Sequence, residues 1–171
     1  MAVQHFSDRL IERLPQVRGR LIENADLAKV TWFRVGGPAE VLFRPADKDD
    51  LKTFLYELPR EVAVTLLGVG SNTLIRDGGI PGVSIRLGNG FSEIKTEDHL
   101  IQAGAGAPNL KIANEARDHG LTGFEFLSGI PGALGGSIRM NAGAFGREIG
   151  EMVEMVCGLN RSGGEVQFTR E

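Results

Sequence analysis

The chain is organised around one glycine-rich stretch, Ser128-Gly129-Ile130-Pro131-Gly132-Ala133-Leu134-Gly135-Gly136-Ser137-Ile138-Arg139-Met140-Asn141-Ala142-Gly143-Ala144-Phe145-Gly146. Six of these nineteen residues are glycine, which lacks a Cβ atom and weakens ordinary helices and strands. So many glycines predict that the backbone comes close to a large polar ligand. Residues 133–137 would open a short, closely packed helix, and residues 141–144 would offer an amide side chain and exposed main chain. A close crossing of two helices is the alternative, and it is disfavoured because packing rarely needs Gly, Asn and Ser together.

A second stretch of the same character is Leu67-Gly68-Val69-Gly70-Ser71-Asn72-Thr73-Leu74, which directly follows an apolar run. Such a loop can turn several backbone N–H groups toward one point and bind an anion, phosphate above all. Thr73 stands where a dinucleotide fingerprint has its third glycine, and no Gly-Lys-Ser/Thr sequence occurs. The doubly wound dinucleotide fold and the P-loop are therefore disfavoured. A tight strand-to-turn connection closed by Asn72 remains an equal alternative for this loop taken alone.

Composition and charge narrow the functional classes. The 171 residues fit one domain or two small lobes, and the net charge of −3 gives no basic footprint for nucleic acid. No run of 18 apolar residues predicts a membrane span, and the first residues do not form a secretory signal. A single cysteine, Cys157, fits a reducing cytoplasm and is interpreted as a small buried apolar group. The three histidines share no ligand spacing, so we expect no metal site.

The first half of the chain predicts a helical arm followed by a small lobe. Residues 1–29 would form the arm, with Phe6, Leu10, Leu14 and Val17 at helical spacing and Ser7 as a candidate N-cap. The lobe, residues 30–88, would have the order β-β-α-β-β. Its strands are expected at residues 30–35, 39–44, 62–67 and 83–87, the third of them buried. Asp47 would cap the helix.

The second half predicts another lobe, residues 89–171, after a boundary at Gly88-Asn89-Gly90. Strands are expected at residues 91–94 and 100–105, then a helix after Pro108 with Gly120 just beyond its end. After the long glycine stretch, residues 152–159 and 165–169 would form a hairpin. Arg34 and Arg86 have two possible roles: each could form an ion pair between the lobes or act at a cofactor.

The quoted motifs together resemble a known family. The matching residues are Thr31-Trp32-Phe33-Arg34-Val35-Gly36-Gly37, the Leu67 to Leu74 loop, Gly129 to Ser137, Met140 to Gly146, and Glu148-Ile149. In this order and at this spacing they are similar to the N-terminal part of the UDP-N-acetylenolpyruvoylglucosamine reductases, flavoenzymes of bacterial peptidoglycan precursor synthesis. The resemblance covers nearly the whole chain from about Ala28 onward.

The resemblance implies an α+β, two-lobed FAD-binding fold of the vanillyl-alcohol-oxidase (PCMH) type, with FAD between the lobes and the second lobe incomplete. The loop from Gly68 to Asn72 would hold the pyrophosphate by its backbone N–H groups. The stretch from Ile130 onward would line the pyrophosphate and the flavin, with the Ser137 hydroxyl bonded to the flavin. The implied cofactor-binding residues are Gly68, Val69, Gly70, Ser71, Asn72, Thr73, Ile130, Pro131, Gly132, Gly135, Gly136, Ser137, Asn141, Ala142, Gly143 and Ala144.

The resemblance also implies a reaction. NADPH would reduce the flavin, and the reduced flavin would pass hydride to the enolpyruvyl double bond of the substrate, giving UDP-N-acetylmuramate. The family's catalytic Tyr-Arg pair, Ser and Glu, and its substrate-binding third domain, have no matching positions here. We therefore expect that the chain holds most of the flavin site but is inactive alone. We also expect it to be cytoplasmic and monomeric. Another FAD-dependent oxidase or dehydrogenase of this fold, or a non-catalytic nucleotide-binding module, remain the alternatives.

Overall fold

The computed structural model describes residues 9–170, which form two compact units. Of the described residues, unit 1 comprises 9–87 together with Leu159–Glu165, and unit 2 comprises Gly88–Gly158 together with 166–170. The change of unit between Leu87 and Gly88 lies one residue from the boundary that the sequence suggested. The short segment Leu159–Glu165, which the sequence assigned to the second lobe, belongs to unit 1.

Unit 1 is built on a four-stranded mixed sheet. Its strands are β1 (Arg20–Ala25), β2 (Ala39–Arg44), β3 (Val64–Leu67) and β4 (Ile80–Arg86), in the order β1-β2-β4-β3. β1 is antiparallel to β2, whereas β4 is parallel to both β2 and β3. Parallel neighbours place the carboxyl ends of β3 and β4 at one edge of the sheet, with Leu67 opposite Arg86.

One helix, α1 (Lys48–Glu57), packs on this sheet. Asp47 caps it as predicted, because its carboxylate accepts a hydrogen bond from the backbone N–H of Asp50 at 3.0 Å. The apolar face of α1 meets β2 through the fully buried rings of Phe54 and Phe43, whose centroids are 4.2 Å apart. Full burial of such side chains contributes about 1.5–3 kcal/mol each, so this pair is central to the core of unit 1.

The strand order β-β-α-β-β is confirmed, but its first strand was misplaced. Residues 30–35 form turns, and the strand that pairs with β2 is Arg20–Ala25, inside the expected helical arm. Within the described part of that arm the helical segments are two 3-10 turns, Leu10–Arg13 and Leu27–Lys29. Phe6 and Ser7, which the helix prediction used, lie outside the described residues.

The expectation that the third strand is buried is also wrong. β3 lies at the edge of the sheet, and Leu66 is 73% exposed. A continuous apolar run is typical of central parallel strands, and here it covers an edge strand instead. The large apolar side chain of Leu66 is therefore left on the surface of the described chain.

Unit 2 carries two helices among small hairpins. Its elements are β5 (Ile94–Glu97), β6 (Leu100–Ala103), α2 (Asn109–Asp118), a 3-10 turn (Glu125–Gly129), α3 (Leu134–Met140), β7 (Gly143–Ala144), β8 (Arg147–Glu148), β9 (Met155–Leu159) and β10 (Glu165–Thr169). The predicted hairpin of β9 and β10 is confirmed, and its closed end, Leu159–Glu165, is the part that belongs to unit 1. Residues 91–93 precede β5 rather than forming a strand.

The core and helix ends of unit 2 follow the sequence closely. A buried cluster combines Ile112 of α2 with Phe126, Leu127, Ile130 and Ile149. α2 ends as predicted, with Gly120 at φ +69° and the N–H of Leu121 bonded to the carbonyl of Ala116 at 2.8 Å. Together the two units give the α+β class that was expected.

Residues 9–170 contain neither a membrane-spanning helix nor a cluster of metal-ligand side chains. No helix in this range has the length and apolar character needed to cross a bilayer. No group of three or more His, Cys, Asp or Glu side chains in it is arranged to hold a metal ion.

Candidate functional site

The glycine-rich loop of residues 67–74, the first of the two along the chain, lies at the carboxyl end of β3, beside the end of β4. Ligands of sheets with parallel strands bind at this edge. Within the described chain, the backbone N–H groups of Val69, Gly70 and Asn72 donate no hydrogen bond to another residue. The loop therefore presents main-chain donors that a phosphate group can use, which is the chemistry predicted for residues 68–73.

Two glycines of this loop have different reasons to be glycine. Gly70 has φ +73°, and a Cβ there would lie 2.8 Å from both Thr31 Cα and the carbonyl oxygen of Val30. The N–H of Trp32 donates to the carbonyl of Gly70 at 3.0 Å, which holds the two segments together. A Cβ on Gly68, in contrast, would meet no atom within 4 Å. Packing within unit 1 therefore requires glycine at position 70. It does not require glycine at position 68, which borders open space.

Gly36 and Gly37 serve the packing of two loops against each other. A Cβ on Gly36 would overlap the backbone of Ile75, and one on Gly37 would overlap the carbonyl of Asp77. Gly37 also donates its N–H to the carbonyl of Arg76 at 2.9 Å. The segment from Thr31 to Gly37 therefore packs as a turn against residues 70–79. This packing places Thr31, Trp32 and Arg34 beside the glycine-rich loop of residues 68–73.

A cavity of about 500 Å³ lies at this place in unit 1. Its lining residues are Lys29, Val30, Thr31, Trp32, Arg34, Val69 and Arg86. Among residues 9–170 neither Arg34 nor Arg86 makes an ion pair, so the ion-pair alternative has no support there, and a role at a cofactor stays a prediction. Burial, and secondarily the nearby Arg44, lower the pKa of Arg86.

The glycine-rich stretch of residues 128–146, the second along the chain, contains the predicted short helix, α3. The N–H of Leu134 donates to the carbonyl of Ala107 at 2.9 Å, and that of Gly135 to Ala105 at 2.8 Å. A Cβ on Gly135 would lie 2.9 Å from the Cβ of Ala105, so this glycine permits close packing. Gly136 is exposed, and a Cβ there would meet nothing within 4 Å. Packing therefore does not explain why position 136 is glycine, just as it does not explain the glycine at position 68.

Ser137, whose contact with a flavin stays a prediction, is held by a neighbour in unit 2. It is buried, and its hydroxyl accepts a hydrogen bond from Asn109 Nδ2 at 2.7 Å. The same amide group donates to the carbonyl of Ile130 at 3.1 Å. Asn109 is completely buried and ties α2 to both ends of this stretch. Sequence reasoning missed Asn109, although a polar residue at the start of a helix that follows Pro108 was the available signal.

Residues 141–144 are also held by bonds inside unit 2. Asn141 ends α3 in the left-handed conformation, at φ +44°. Its side chain donates to Glu148 Oε2 at 2.6 Å and accepts from the N–H of Gly150 at 3.0 Å. Ala142 donates its N–H to the carbonyl of Ser137, and Gly143–Ala144 pair with β8. Asn141 and Gly143 are exposed, as expected for this segment, although part of its main chain is already paired within unit 2.

Two other single-residue interpretations have different outcomes. His119 follows α2 directly, and its Nδ1 lies 2.9 Å from the carbonyl oxygen of Glu115, so we interpret it as a residue of the helix C-terminus. Cys157 is exposed, so its interpretation as a small buried apolar group is wrong. It lies on β9, in a two-stranded sheet. The burial pattern of a strand in such a sheet is poorly predicted from alternation alone.

Comparisons with known proteins bear on these features. A family model described as FAD binding domain matches residues 39–162. A UDP-N-acetylenolpyruvoylglucosamine reductase from Parvibaculum lavamentivorans is 53% identical over 154 residues, which cover 90% of this chain and 50% of that protein. One from Methylorubrum populi is 46% identical over 170 residues, covering 99% of this chain and 55% of that protein.

A solved structure shows the same similarity. The crystal structure of UDP-N-acetylenolpyruvylglucosamine reductase from Thermus caldophilus matches with a TM-score of 0.72 at 32% identity, covering 90% of this chain and 53% of that one. The chain thus spans about half the length of the curated relatives it matches. The resemblance and the fold predicted from the sequence are confirmed. This chain belongs to the FAD-binding domain family, and it is similar to the FAD-binding portion of the UDP-N-acetylenolpyruvoylglucosamine reductases.

Proposed function

We propose that this chain binds FAD, with residues 68–73 of unit 1 holding the pyrophosphate. The observation that carries the proposal is the set of main-chain donors at Val69, Gly70 and Asn72, which have no partner within the described chain. Consecutive amides of this kind suit a dianionic group, because each can donate to one of its oxygens. Bound flavin supplies hydride transfer, and the protein supplies binding and orientation.

The second stretch contributes through its backbone rather than its side chains. Ser137 and Asn141 are engaged with neighbours in unit 2, and Ala142 and Gly143 have main-chain partners. Gly136 differs, since it is exposed and a Cβ would meet nothing around it. We infer that residues 130–136 are the part of this stretch that a cofactor approaches closely, while residues 137–144 keep that part in shape.

The similarity to the relatives supports a proposal for the reaction. We propose that these residues act in an NADPH-dependent reductase that converts UDP-N-acetylglucosamine enolpyruvate to UDP-N-acetylmuramate for peptidoglycan synthesis in the cytoplasm. The support is the 46–53% identity to proteins of that name. Because those proteins are about twice as long as this chain, the 171 residues alone are expected to bind FAD without turning over the enolpyruvyl substrate.

The experiment that tests FAD binding uses the two glycines with open space beside them. The purified chain is mixed with FAD and passed through a gel-filtration column, and the retained flavin is read from its visible absorption. We expect retained flavin for the wild type and a large loss for Gly68→Val and Gly136→Val. Both substitutions add a side chain where the structure has room, so the fold should tolerate them.

Gly88→Val is the matched control. A Cβ on Gly88 also meets nothing within 4 Å, but this residue lies outside both stretches. It should retain flavin as the wild type does. A folded wild-type chain that retains no flavin would contradict the proposal. Equal retention by all four proteins would show that flavin binds elsewhere than at these backbone positions. Bleaching of the bound flavin by NADPH then tests the proposed hydride donor.

A further inference from the structure

Three arginines lie side by side at one end of the sheet of unit 1. Arg20 on β1 is the direct cross-strand partner of Arg44 on β2. β2 and β4 pair in parallel with Phe43 aligned to Ile85, so the next residues in this register are Arg44 and Arg86. Cross-strand partners project from the same face of a sheet. The three residues therefore form a row, here called the arginine row, that crosses about 10 Å of one sheet face, since neighbouring strands are about 4.8 Å apart.

The arginine row is open to solvent over most of its length. Arg20 and Arg44 are exposed, and Arg86 is half-buried. The pKa of Arg86 is lowered by its burial and, secondarily, by the nearby Arg44, which indicates that these two guanidinium groups repel each other. Like charges on directly opposed residues of a sheet are destabilising. A row of three such charges therefore calls for a compensating negative charge.

Neither acidic residue of this sheet neutralises the row. The four strands contain two of them, Glu23 and Glu40. Glu23 lies three residues after Arg20 on β1, so its side chain projects from the opposite face. The carboxylate of Glu40 accepts the N–H of Gly82 at 2.6 Å, four residues away from the row along β2.

Two carboxylates close to the row in the chain also have other partners. Asp47 pairs with Arg18 and caps α1, and Asp50 accepts three backbone N–H groups. Among residues 9–170, none of the three arginines of the row makes an ion pair. The compensating charge has to come from a partner.

The length and openness of the row favour a macromolecule with several anionic groups. A single phosphate or carboxylate can lie between two neighbouring arginines but does not reach all three. Small-molecule sites are concave and enclose most of their ligand, whereas Arg20 and Arg44 lie on an exposed surface. Nucleic acid is disfavoured because its binding needs an extended basic surface, and this chain has a net charge of −3.

An acidic helix matches the arginine row in spacing. Residues four apart on a helix surface have Cβ atoms about 5–6 Å apart, which is close to the distance between neighbouring strands. Carboxylates at positions i, i+4 and i+8 therefore form a line of about 12 Å along one helix face. Arginine and carboxylate groups pair in a bidentate geometry, so each guanidinium of the row can take one carboxylate of such a line.

We propose that the arginine row is a docking surface for an acidic helix of a protein partner, with one carboxylate paired to each arginine. The proposal goes beyond FAD binding. Arg86 also lines the cavity beside the glycine-rich loop, whereas Arg20 and Arg44 do not. Substitutions of these two arginines therefore test the docking surface without changing the proposed cofactor site.

The probe is a fluorescent alanine-based peptide with three glutamates spaced four residues apart, and its control peptide has glutamine at the same positions. Binding to the purified chain is measured by fluorescence anisotropy. We expect the glutamate peptide alone to bind, with an affinity that falls as salt is added, because exposed ion pairs are screened. Arg44→Gln removes the centre of the row and should increase the dissociation constant about tenfold.

The same substitution should have the opposite effect on the free chain. Arg44→Gln relieves the repulsion with both neighbours, so the melting temperature without peptide should rise by about 1–3 °C at low salt. Arg20→Gln, at the end of the row, should show both changes to a smaller extent. An arginine that only supports the fold would lower the melting temperature when it is replaced, so weaker binding by a more stable chain identifies a docking residue.

Arg60→Gln is the matched control. It removes the same charge from unit 1, but Arg60 is bonded to Ser162 and precedes the amino end of β3, whereas the row lies at the carboxyl ends of β2 and β4. Its affinity for the glutamate peptide should stay within about twofold of wild type. FAD retention by Arg44→Gln should equal that of the wild type, so the two proposals fail or stand separately.

The docking surface is refuted if the glutamate peptide does not bind the wild type, if the glutamine peptide binds equally well, or if Arg44→Gln keeps wild-type affinity. Duplex DNA or phosphatidylglycerol vesicles that bind through Arg44 more tightly than the peptide would overturn the assignment to an acidic helix. Weaker peptide binding by Arg44→Gln and Arg20→Gln, with Arg60→Gln unchanged, supports the proposal for a chain with or without bound FAD.

Discussion

At the scale of single residues, the clearest structural device is a buried carboxylate. Asp50, on the first turn of α1, is 5% exposed and accepts hydrogen bonds from three backbone N–H groups, those of Arg18, Gly19 and Ala46, at 2.8–2.9 Å. Buried charges are tolerated when they are fully hydrogen-bonded. Asp50 therefore joins the segment before β1 to the turn before α1. From sequence it looks like any acidic residue that stabilises the start of a helix.

We predict that Asp50→Ala destabilises the chain by about 3 kcal/mol, because three partly buried backbone N–H groups lose their acceptor. Urea denaturation followed by circular dichroism measures the free energy of unfolding. Asp49→Ala is the control, since Asp49 is exposed on the same turn and should change this free energy by about 0.5 kcal/mol or less. Similar values for the two variants would show that the three hydrogen bonds contribute little.

At the scale of secondary-structure elements, the sequence predicted what depends on local signals. Each correctly predicted element has a signal in its own sequence. Helices α1 and α2 have capping residues, strand β2 has an alternating pattern, and the β9–β10 hairpin has a turn sequence. Strand β1 has no such signal, since Arg20-Leu21-Ile22-Glu23-Asn24-Ala25 becomes a strand only through pairing with β2. Residues 30–35 show the reverse case: their β-forming composition is overridden by packing against Gly70 and residues 75–79.

The site was predictable to a similar degree. Both glycine stretches were identified from sequence because ligand contact and close packing both require glycine. Which glycines serve packing, as Gly70 and Gly135 do, and which border open space, as Gly68 and Gly136 do, depends on tertiary neighbours. The same holds for the buried amide of Asn109 and the unpaired hydroxyl of Thr31, which a sequence does not distinguish from ordinary polar residues.

The element-scale prediction concerns the link between α2 and the second glycine stretch. Asn109→Ala leaves the carbonyl of Ile130 and the hydroxyl of Ser137 without their buried donor, which should cost about 2 kcal/mol of unfolding free energy. FAD retention should also fall, because residues 130–136 lose the side chain that holds them. Asn114→Ala, on the same helix but only partly buried, is the control and should retain flavin. Loss of stability with full flavin retention would limit Asn109 to a role in folding.

At the scale of the whole molecule, the two units bring different parts to the proposed function. Unit 1 has the glycine-rich loop of residues 68–73 and the cavity beside it, and unit 2 has the backbone stretch around Gly136. Each unit has its own buried core cluster. A ligand that contacts residues of both should therefore stabilise both, whereas a ligand of that cavity alone should stabilise only unit 1.

This difference gives the last prediction, measured by hydrogen exchange and thermal melting. FAD at one hundred times its dissociation constant should stabilise the folded chain by about 2.7 kcal/mol. For a chain of this size that is a rise in melting temperature of about 5–10 °C. Exchange should slow at residues 68–73 and also at residues 130–136. Inorganic pyrophosphate should slow exchange at residues 68–73 but not at residues 130–136, since it has no ring system to reach the second stretch.

The Gly68→Val and Gly136→Val variants separate the two contributions. Gly136→Val should abolish FAD protection at residues 130–136 while leaving pyrophosphate protection at residues 68–73 intact, and Gly68→Val should weaken both. If FAD slows exchange only in unit 1 of the wild type, the second stretch is not a cofactor-binding segment. Its glycines would then be explained by the packing of α3 on residues 105–107, which the contacts of Leu134 and Gly135 already account for in part.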